Sequence, residues 1–267
     1  MGKFWSVVFL LVPVLGVATF VLGEQFKIWL PSDVSQHGHT IDHLFYFILW
    51  LTGAVFVVTE GALFWFMWRY GSKGTPQPVK YTHGSHSLEV VWTILPAATL
   101  LFIAIYQMDA WADSKMRPPA MNPTVEVTGR QFEWRIRYPG LKAQGEIGGP
   151  DDILVVNDLH IPVNEEILIE LKSQDVLHSF FLPNLRVKQD AVPGMKVPVW
   201  FRATQVGTYD IVCAELCGWG HYKMKGRLTV EPREQFERWL QEMKTAQDAT
   251  QEAPSEQTES ESDEGSE

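Results

Sequence analysis

Three long apolar runs constrain this chain more than any other feature. They cover residues 4–22, 44–68 and 90–106, and each has a length suited to crossing the hydrocarbon core of a bilayer as an α-helix. Trp68 and Arg69 close the second run with the aromatic and basic side chains that are typical of a membrane interface. The sequence therefore predicts transmembrane helices in the first 110 residues.

The first of these runs belongs to a hydrophobic segment at residues 1–23 that is either a transmembrane helix or a signal peptide. Its end, Val21-Leu22-Gly23, is a candidate cleavage site, but the run exceeds the usual apolar core of a signal peptide. We favour a retained helix. Residues 24–110 are then a transmembrane hairpin. Lys73 and Lys80 in its short loop place that loop in the cytoplasm by the positive-inside rule, so the chain beyond the hairpin is external.

A change of periodicity marks a second domain after a proline-containing connector at residues 111–123. From residue 124 the apolar positions recur every second residue instead of every third or fourth. The clearest case is the alternating set Phe132, Trp134, Ile136 and Tyr138. Short alternating segments separated by Pro, Gly and Asn turns predict an antiparallel β-sandwich over residues 124–231.

The C-terminal end is predicted to be an amphipathic helix at residues 232–246 followed by an acidic, disordered tail at residues 247–267. The net charge of the chain is −10, but eight acidic residues and no basic residue follow Lys244. The rest of the chain is therefore close to neutral, with 24 acidic against 22 basic residues. Nothing in this balance favours nucleic-acid binding.

The only two cysteines, Cys213 and Cys217, lie in the run CAELCGWGHYKM at residues 213–224. Thiolate, imidazole and thioether groups together favour copper, and a methionine beside Cys and His is typical of an electron-transfer copper site. A blue-copper site needs one thiolate, so the second favours a dinuclear centre with two bridging sulfurs. The alternatives are a disulfide and a zinc site. A disulfide gives His221 and Met224 no role, and zinc gains nothing from the thioether.

Four stretches resemble subunit 2 of the haem–copper cytochrome c oxidases. They are EVVWTILP at residues 89–96, DVLHSF at 175–180, KQDAVPG at 188–194 and the cysteine run at 213–224. The resemblance implies a cupredoxin-like Greek-key sandwich with a dinuclear CuA centre. It implies copper ligation by the side chains of His178, Cys213, Cys217, His221 and Met224 and by the backbone carbonyl of Glu215. The Glu215 carboxylate is implied as a ligand of a magnesium or manganese ion shared with subunit 1.

By the same resemblance, the chain accepts electrons from cytochrome c or a membrane-bound donor and passes them to haem in subunit 1. Oxygen is reduced there, and protons are translocated. The expected partners are oxidase subunits 1 and 3 and the lipid bilayer, and the expected location is a bacterial-type plasma membrane with the copper domain on the periplasmic side. No C-x-x-C-H motif is present, so no c-type haem is attached to this chain.

Three rival functions compete with this interpretation. Quinol oxidase subunits of this architecture lack the copper ligands, and nitrous oxide reductases lack the membrane hairpin with its EVVWTILP motif. A membrane-anchored copper carrier or assembly protein is the alternative from a different class. Such a carrier must release its metal, so it does not need two bridging thiolates and an axial methionine on a rigid loop.

The resemblance also implies roles outside the ligand set. Glu89 marks the mouth of a proton pathway into subunit 1, the alternative being a carboxylate that favours a helix start. Phe132 stands where the family has the first tryptophan of a G-x-Q-W-x-W segment. Phe132 and Trp134 are therefore implied as the donor-side residues for electron input. Trp219 and Tyr222 are expected to shield the metal site or to pack beside it.

The charges near this segment bear on the donor. Asp175 and Asp190 match acidic positions at which the family docks a basic cytochrome c. Arg130, Arg135 and Arg137 lie close to Phe132 in the sequence. The sequence therefore predicts a less basic donor, or a direct partner complex.

Other residues carry weaker expectations. His37, His39 and His43 cluster in a predicted loop and are expected to be solvated. Glu60, inside the second apolar run, is expected to face protein or water. The glycines at positions 218 and 220 are expected to let the cysteine loop curl tightly around its metals.

Overall fold

The computed structural model describes residues 2–26, 28–71, 81, 83–140 and 147–252. Two compact units divide them. The first comprises the described parts of residues 1–33 and 37–117, and the second comprises residues 34–36 together with the described residues from 118 onward. Lys73, Lys80 and the tail from residue 253 lie outside the described residues.

The first unit is helical. Its helices are α1 (Gly2–Gln25), α2 (Gly38–Tyr70), α3 (His86–Tyr106) and the short α4 (Met108–Trp111), which continues as a π-helical turn at Ala112–Met116. The first three are long and apolar enough to cross a membrane. The rings of Phe20 in α1 and Trp50 in α2 meet edge to face at 4.9 Å, and Phe47 in α2 lies 5.7 Å from the ring of Tyr106 in α3. The predicted helical spans are confirmed, and retention of the first one stays a prediction.

Helix α2 begins at Gly38, six residues before the predicted apolar run, so the prediction of a loop at His39 and His43 was wrong. Their four-residue spacing places both side chains on one helix face, with the two Nε2 atoms 3.1 Å apart. A search for an apolar run misses the start of α2 because these first turns are polar. Within the described part of the chain, no third metal-ligating side chain gathers with this pair.

The second unit is a sandwich of two five-stranded sheets. In spatial order, the first sheet contains β3 (Ile153–Val156), β2 (Glu133–Tyr138), β1 (Val125–Arg130), β5 (Glu166–Ser173) and β8 (Val197–Arg202). The second contains β4 (Asp158–Pro162), β10 (Lys225–Glu231), β9 (Gly207–Cys213), β6 (His178–Leu182) and β7 (Val187–Ala191). The predicted fold class, transmembrane helices followed by a β-sandwich, is confirmed.

Two strand pairs are parallel, β1 with β5 and β4 with β10, whereas the sequence predicted antiparallel pairing throughout. Alternation and turn residues fix the direction of strands that are joined by a hairpin, such as β1 and β2. Each parallel pair joins strands that are distant in the sequence. The hairpin signals therefore carry no information about its direction.

The core lies between the two sheets. In β2, the side chains of Trp134, Ile136 and Tyr138 are fully buried, and the residues between them are more exposed. This is the predicted period of two, and it directs the largest side chains of the strand into the sandwich.

Helix α5 (Arg233–Glu252) packs on the sandwich through Phe236 and Trp239. It extends six residues beyond the predicted end, so residues 247–252 are helical instead of disordered. Gln247 accounts for part of this extension, because its side chain accepts a hydrogen bond from the Leu154 amide and donates one to the Asp152 carbonyl.

Residues 34–36 lie inside the predicted membrane hairpin, yet they pack with the sandwich. Val34 is 1% exposed and belongs to the hydrophobic core. Ser35 forms a β-bridge with Ala203, and the Thr204 amide donates a hydrogen bond to the Val34 carbonyl. The core of the second unit is therefore completed by a segment that precedes α2.

Candidate metal centre

Adjacent strands of the second sheet bring the predicted ligands to one end of the sandwich. His178 opens β6 and Cys213 ends β9, and these strands pair with Phe180 opposite Cys213. The chain then forms a loop that contains Cys217 and returns through a short 3₁₀ turn at His221–Lys223 to Met224, directly before β10. The β6–β9–β10 pairing thus gathers residues that are up to 46 positions apart in the sequence.

The sulfur atoms lie at the centre of this group. The Sγ atoms of Cys213 and Cys217 are 3.9 Å apart, and Cys217 Sγ lies 3.7 Å from His221 Nδ1 and 3.8 Å from Met224 Sδ. The Glu215 carbonyl oxygen is 3.2 Å from Cys213 Sγ. Both cysteines are free, at a separation about twice the ~2.05 Å of a disulfide bond. The two cysteines are therefore not joined by a disulfide in this structure.

His178 supplies the remaining donor. Its side chain is fully buried, and its Nε2 lies 2.8 Å from Asp175 Oδ1, to which it donates a hydrogen bond. Its Nδ1 atom is buried without a hydrogen-bond partner. A ring nitrogen held in this way by a carboxylate on the opposite side is the usual arrangement of a metal-bound histidine. The ligand atoms of His178, Cys213 and Cys217 lie within 4.8 Å of one another. These residues therefore fit a metal with soft ligands.

The two thiols differ in acidity. Burial opposes ionisation of Cys213, but the nearby His178 ring and the backbone of Glu215 outweigh it and lower the pKa of Cys213 to about 6. Burial and the neighbouring Cys213 thiolate raise the pKa of Cys217 to about 11. Burial disfavours the protonated form of His178, yet its contacts with Cys213 and Asp175 raise its pKa overall. Without metal, Cys213 is therefore mainly a thiolate near pH 7, while Cys217 is a neutral thiol.

Asp175 links the histidine to the cysteine loop. Its carboxylate accepts hydrogen bonds from the backbone amides of Gln131 and Val176 as well as from His178. Burial opposes the charge, but these bonds lower the pKa of Asp175. The Gln131 side chain in turn donates a 2.5 Å hydrogen bond to the Cys217 carbonyl. The sequence pointed to Asp175 as a docking residue for the donor, whereas the structure gives its carboxylate three bonds that position the site.

Three glycines allow neighbouring side chains to pack closely around this network. A Cβ atom on Gly129 would lie 2.9 Å from His178 Cδ2, so β1 can pass the histidine only without a side chain at this position. Gly218 has a φ of 134°, and a Cβ there would lie 2.7 Å from Gln131 Nε2 and 3.2 Å from the Phe132 ring. At Gly220 the corresponding distance is 2.5 Å. The two loop glycines were expected to make room for metals, and the neighbours that they accommodate are Gln131 and Phe132 at Gly218 and Phe132 at Gly220.

The aromatic residues near the site differ in exposure. Trp134 is fully buried, with its ring 6.0 Å from that of His178 and 5.3 Å from that of Phe180. Trp219 and Tyr222 are 80% and 68% exposed, although both were expected to shield the site or to pack beside it. A docked protein cannot touch Trp134, but it can touch Trp219.

Three predicted residues are not among the gathered ligands. Glu89 is in the first turn of α3, in the other unit, and its carboxylate is 4.0 Å from His86 Nδ1. Glu60 is half-buried within α2. Asp190 is exposed on β7, opposite Ser179.

The three arginines near Phe132 are paired with carboxylates. Arg130 and Arg135 lie 3.8 and 2.8 Å from Glu133, and Arg137 lies 3.6 Å from Asp152. The positive charge of this region is therefore smaller than the arginines alone suggest.

Known families match both parts of the chain. The model for the periplasmic domain of cytochrome c oxidase subunit II matches residues 124–230, and the model for the transmembrane domain of the same subunit matches residues 23–109. Cytochrome c oxidase subunit 2 of Thermostichus vulcanus is 31% identical, over 85% of this chain and 81% of that protein. The chain belongs to the cytochrome c oxidase subunit 2 family.

Other proteins are also similar to this chain. Subunit 2 of Cereibacter sphaeroides is 30% identical over 79% of this chain and 77% of that protein. Among solved structures, the periplasmic domain of subunit II from Bradyrhizobium japonicum covers 49% of this chain and 99% of its own, with 28% identity and a TM-score of 0.42.

Membership of the subunit 2 family fixes the coarse function. The chain is a membrane-bound subunit of cytochrome c oxidase, a haem–copper oxidase, and other oxidase subunits are its partners. It has a periplasmic domain with a copper centre, and its role is electron input through CuA. The alternative of a copper carrier or assembly protein is not favoured.

Proposed function

We propose that His178, Cys213, Cys217, His221 and Met224, with the carbonyl of Glu215, bind two copper ions that receive electrons from cytochrome c or an equivalent donor. The observation that carries this proposal is the convergence of two free sulfurs, 3.9 Å apart, beside a buried His178 Nδ1 with no partner. When bound, the copper pair supplies a one-electron carrier between the donor and the haem of subunit 1.

The residues around the ligands fix their positions and exclude water from them. Asp175 orients the His178 ring through Nε2 and leaves Nδ1 free to bind a metal. Gln131 fixes the loop at the Cys217 carbonyl. His178, Cys217 and Met224 are at most 3% exposed, so the β-sandwich excludes water from one side of the ligand set. A rigid, dry cage keeps reorganisation small when the charge of the centre changes.

The finer assignments are part of the same proposal. Glu215 is a half-buried residue between the two cysteines of the loop, which supports a role for its carboxylate as a ligand of magnesium or manganese shared with subunit 1. The place of Glu89 in the first turn of α3 supports a proton-collecting role at the mouth of a pathway into subunit 1. We further propose subunits 1 and 3 as partners and a bacterial plasma membrane as the location.

The experiment that tests the copper centre uses the full chain in its membrane complex. Cys217→Ser removes one bridging sulfur, and Leu216→Ala is the matched control because its side chain is 76% exposed on the same loop. We expect the Cys217→Ser complex to lose copper and the purple mixed-valence dicopper spectrum, and the Leu216→Ala complex to keep both. An unchanged spectrum in Cys217→Ser, with electrons reaching the haem at the original rate, would contradict the proposal.

A further inference from the structure

Trp219 is an exposed aromatic side chain in the middle of the cysteine loop. It lies two residues after Cys217 and two before His221, and 80% of its surface is exposed. Leu216 and Tyr222 on the same loop are also largely exposed. Apolar side chains clustered on a soluble surface mark sites where a partner binds. Tryptophan is also enriched among the residues that dominate such interfaces.

The Trp219 ring has a fixed support. It meets the Phe132 ring edge to face, at 5.2 Å between centroids and an angle of 69°. Phe132 fills the space beside Gly218 and Gly220, the two residues that flank Trp219. Phe132 therefore holds the backbone on both sides of Trp219 as well as contacting its ring. This arrangement fixes the indole before a partner arrives, which lowers the entropic cost of binding.

The other aromatic groups near the ligands are less accessible to a donor. Trp134 is fully buried between the sheets, so a docked protein cannot contact it. Phe132 is only partly buried, but it lies against the loop glycines below Trp219. His178, Cys217 and Met224 are themselves buried. Trp219 therefore combines high exposure with a short covalent connection to two ligands, Cys217 and His221.

The charge beside the indole indicates the kind of donor. Lys223 Nζ lies 5.8 Å from the centre of the Trp219 ring and 5.5 Å from that of Tyr222. A partner that covers this aromatic pair would place its own surface next to this ammonium group. An acidic or neutral rim around an apolar contact surface complements it, whereas a basic rim is repelled.

We propose that Trp219 is the residue at which the donor docks and through which the electron enters. This rests on the proposed function. The donor is an electron-transfer protein whose cofactor edge is surrounded by apolar surface, with an acidic or neutral rim facing Lys223. One electron leaves the reduced donor and is accepted by the copper centre, with no bond made and no proton transferred. Phe132 supports the indole, and Trp134 packs behind His178.

The test uses the assembled oxidase and a soluble electron-donor cytochrome whose haem edge is surrounded by apolar surface and an acidic or neutral rim. Trp219→Leu keeps an apolar side chain over Phe132 but removes the indole, and Trp219→Phe keeps an aromatic ring. Val206→Ala is the control, because Val206 is an apolar side chain that is 58% exposed and directly precedes β9, at the opposite end of the strand from Cys213. Two quantities are measured for each complex. They are the dissociation constant of the oxidised donor, with and without copper, and the second-order rate of copper reduction by the reduced donor.

We expect Trp219→Leu to raise the dissociation constant about tenfold whether or not copper is bound, as loss of a central interface residue does. We expect it to slow reduction of the bound copper at least as much. Trp219→Phe should change both by less than about threefold, and Val206→Ala by less than about twofold. A Trp219→Leu complex within about twofold of the original in both quantities would overturn the inference, and so would an equal loss in Val206→Ala.

The same experiment separates this inference from the function on which it rests. If the unaltered complex has no dicopper spectrum, the proposed centre is wrong, and the binding measurement still shows whether Trp219 docks the donor. If the spectrum is present and Trp219→Leu binds normally, only the assignment of Trp219 fails. The binding constant does not depend on copper, so a loss of metal in a variant does not obscure the result.

Discussion

Cys213 and Cys217 bind their protons with very different strength. Above its pKa of about 6, Cys213 is ionised beside His178, while Cys217 keeps its proton up to about pH 11. The low pKa of Cys213 stabilises the fold at high pH, and that contribution is lost as the pH falls through 6. Copper binds thiolates, so uptake near neutral pH must displace the Cys217 proton.

This difference predicts how copper affinity varies with pH. Between about pH 6 and 9 the apparent affinity should rise about tenfold per pH unit for each proton displaced. Below about pH 6 the dependence should steepen, because Cys213 then binds a proton too. Competition with a copper chelator across this range, on the copper-free complex, measures the slope. An affinity that does not vary with pH would mean that both sulfurs are already ionised.

The contact between Gly220 and Phe132 gives a second prediction at this scale. A methyl group at position 220 would lie 2.5 Å from the ring, so Gly220→Ala must displace either the loop or Phe132. Overpacking of this kind typically costs about 1–3 kcal/mol. We expect a lower copper content and a lower thermal midpoint of the copper spectrum. Gly149→Ala is the control, because a methyl group there meets its neighbours at ordinary distances of 3.8 Å or more.

Among the elements, helix α5 is attached to the sandwich by aromatic side chains. Phe236 is buried, and Trp239 stacks on His160 with the rings 3.8 Å apart and 5° from parallel. His160 itself lies 2.8 Å from Glu231 at the end of β10. Helix α5 is therefore held against the sandwich by aromatic packing.

Removing that packing should loosen the domain while leaving the ligands in place. Phe236→Ala is expected to lower the free energy of unfolding by about 3 kcal/mol, as truncation of a buried phenylalanine does. Thermal unfolding of the full chain in detergent measures the loss, with the copper spectrum at low temperature unchanged. Gln241→Ala, on the exposed face of the same helix, should have almost no effect. Equal losses in the two variants would argue against this packing role.

Elements were predictable from the sequence where a local period determines them. The alternation of Trp134, Ile136 and Tyr138 predicted β2 and the face that it buries. Features set by distant partners were missed. The parallel pairing of β1 with β5 depends on a strand almost 40 residues away, and the extension of α5 depends on the hydrogen bonds of Gln247 with Asp152 and Leu154.

For the whole molecule, charge decides which donors approach quickly. The arginines near Phe132 are paired with carboxylates, and apart from the acidic tail the chain has nearly equal numbers of acidic and basic residues. We predict that turnover with a strongly basic cytochrome c changes less than about threefold between about 20 and 200 mM salt. Steady-state oxygen consumption measures this. A steep fall with salt would show that an acidic surface steers the donor.

More of the metal site than of the surrounding fold could be predicted from the sequence. The cysteine run and His178 were identified from residue types and a family resemblance, because the identity of a side chain determines which metal it can bind. The roles of Asp175 and Gln131 were not predicted, because they arise from backbone amides and a carbonyl that only the folded chain brings together. The exposure of Trp219 also depends on how the loop closes over Phe132.

The packing of Val34 in the sandwich core has a practical consequence for anyone who isolates the periplasmic part. A fragment that begins at residue 118 lacks this side chain, and the space that it fills becomes a hole lined by apolar groups. Such a fragment should be less stable than the same domain within the intact chain. Fusing residues 32–37 to its N-terminus through a flexible linker should restore part of the loss.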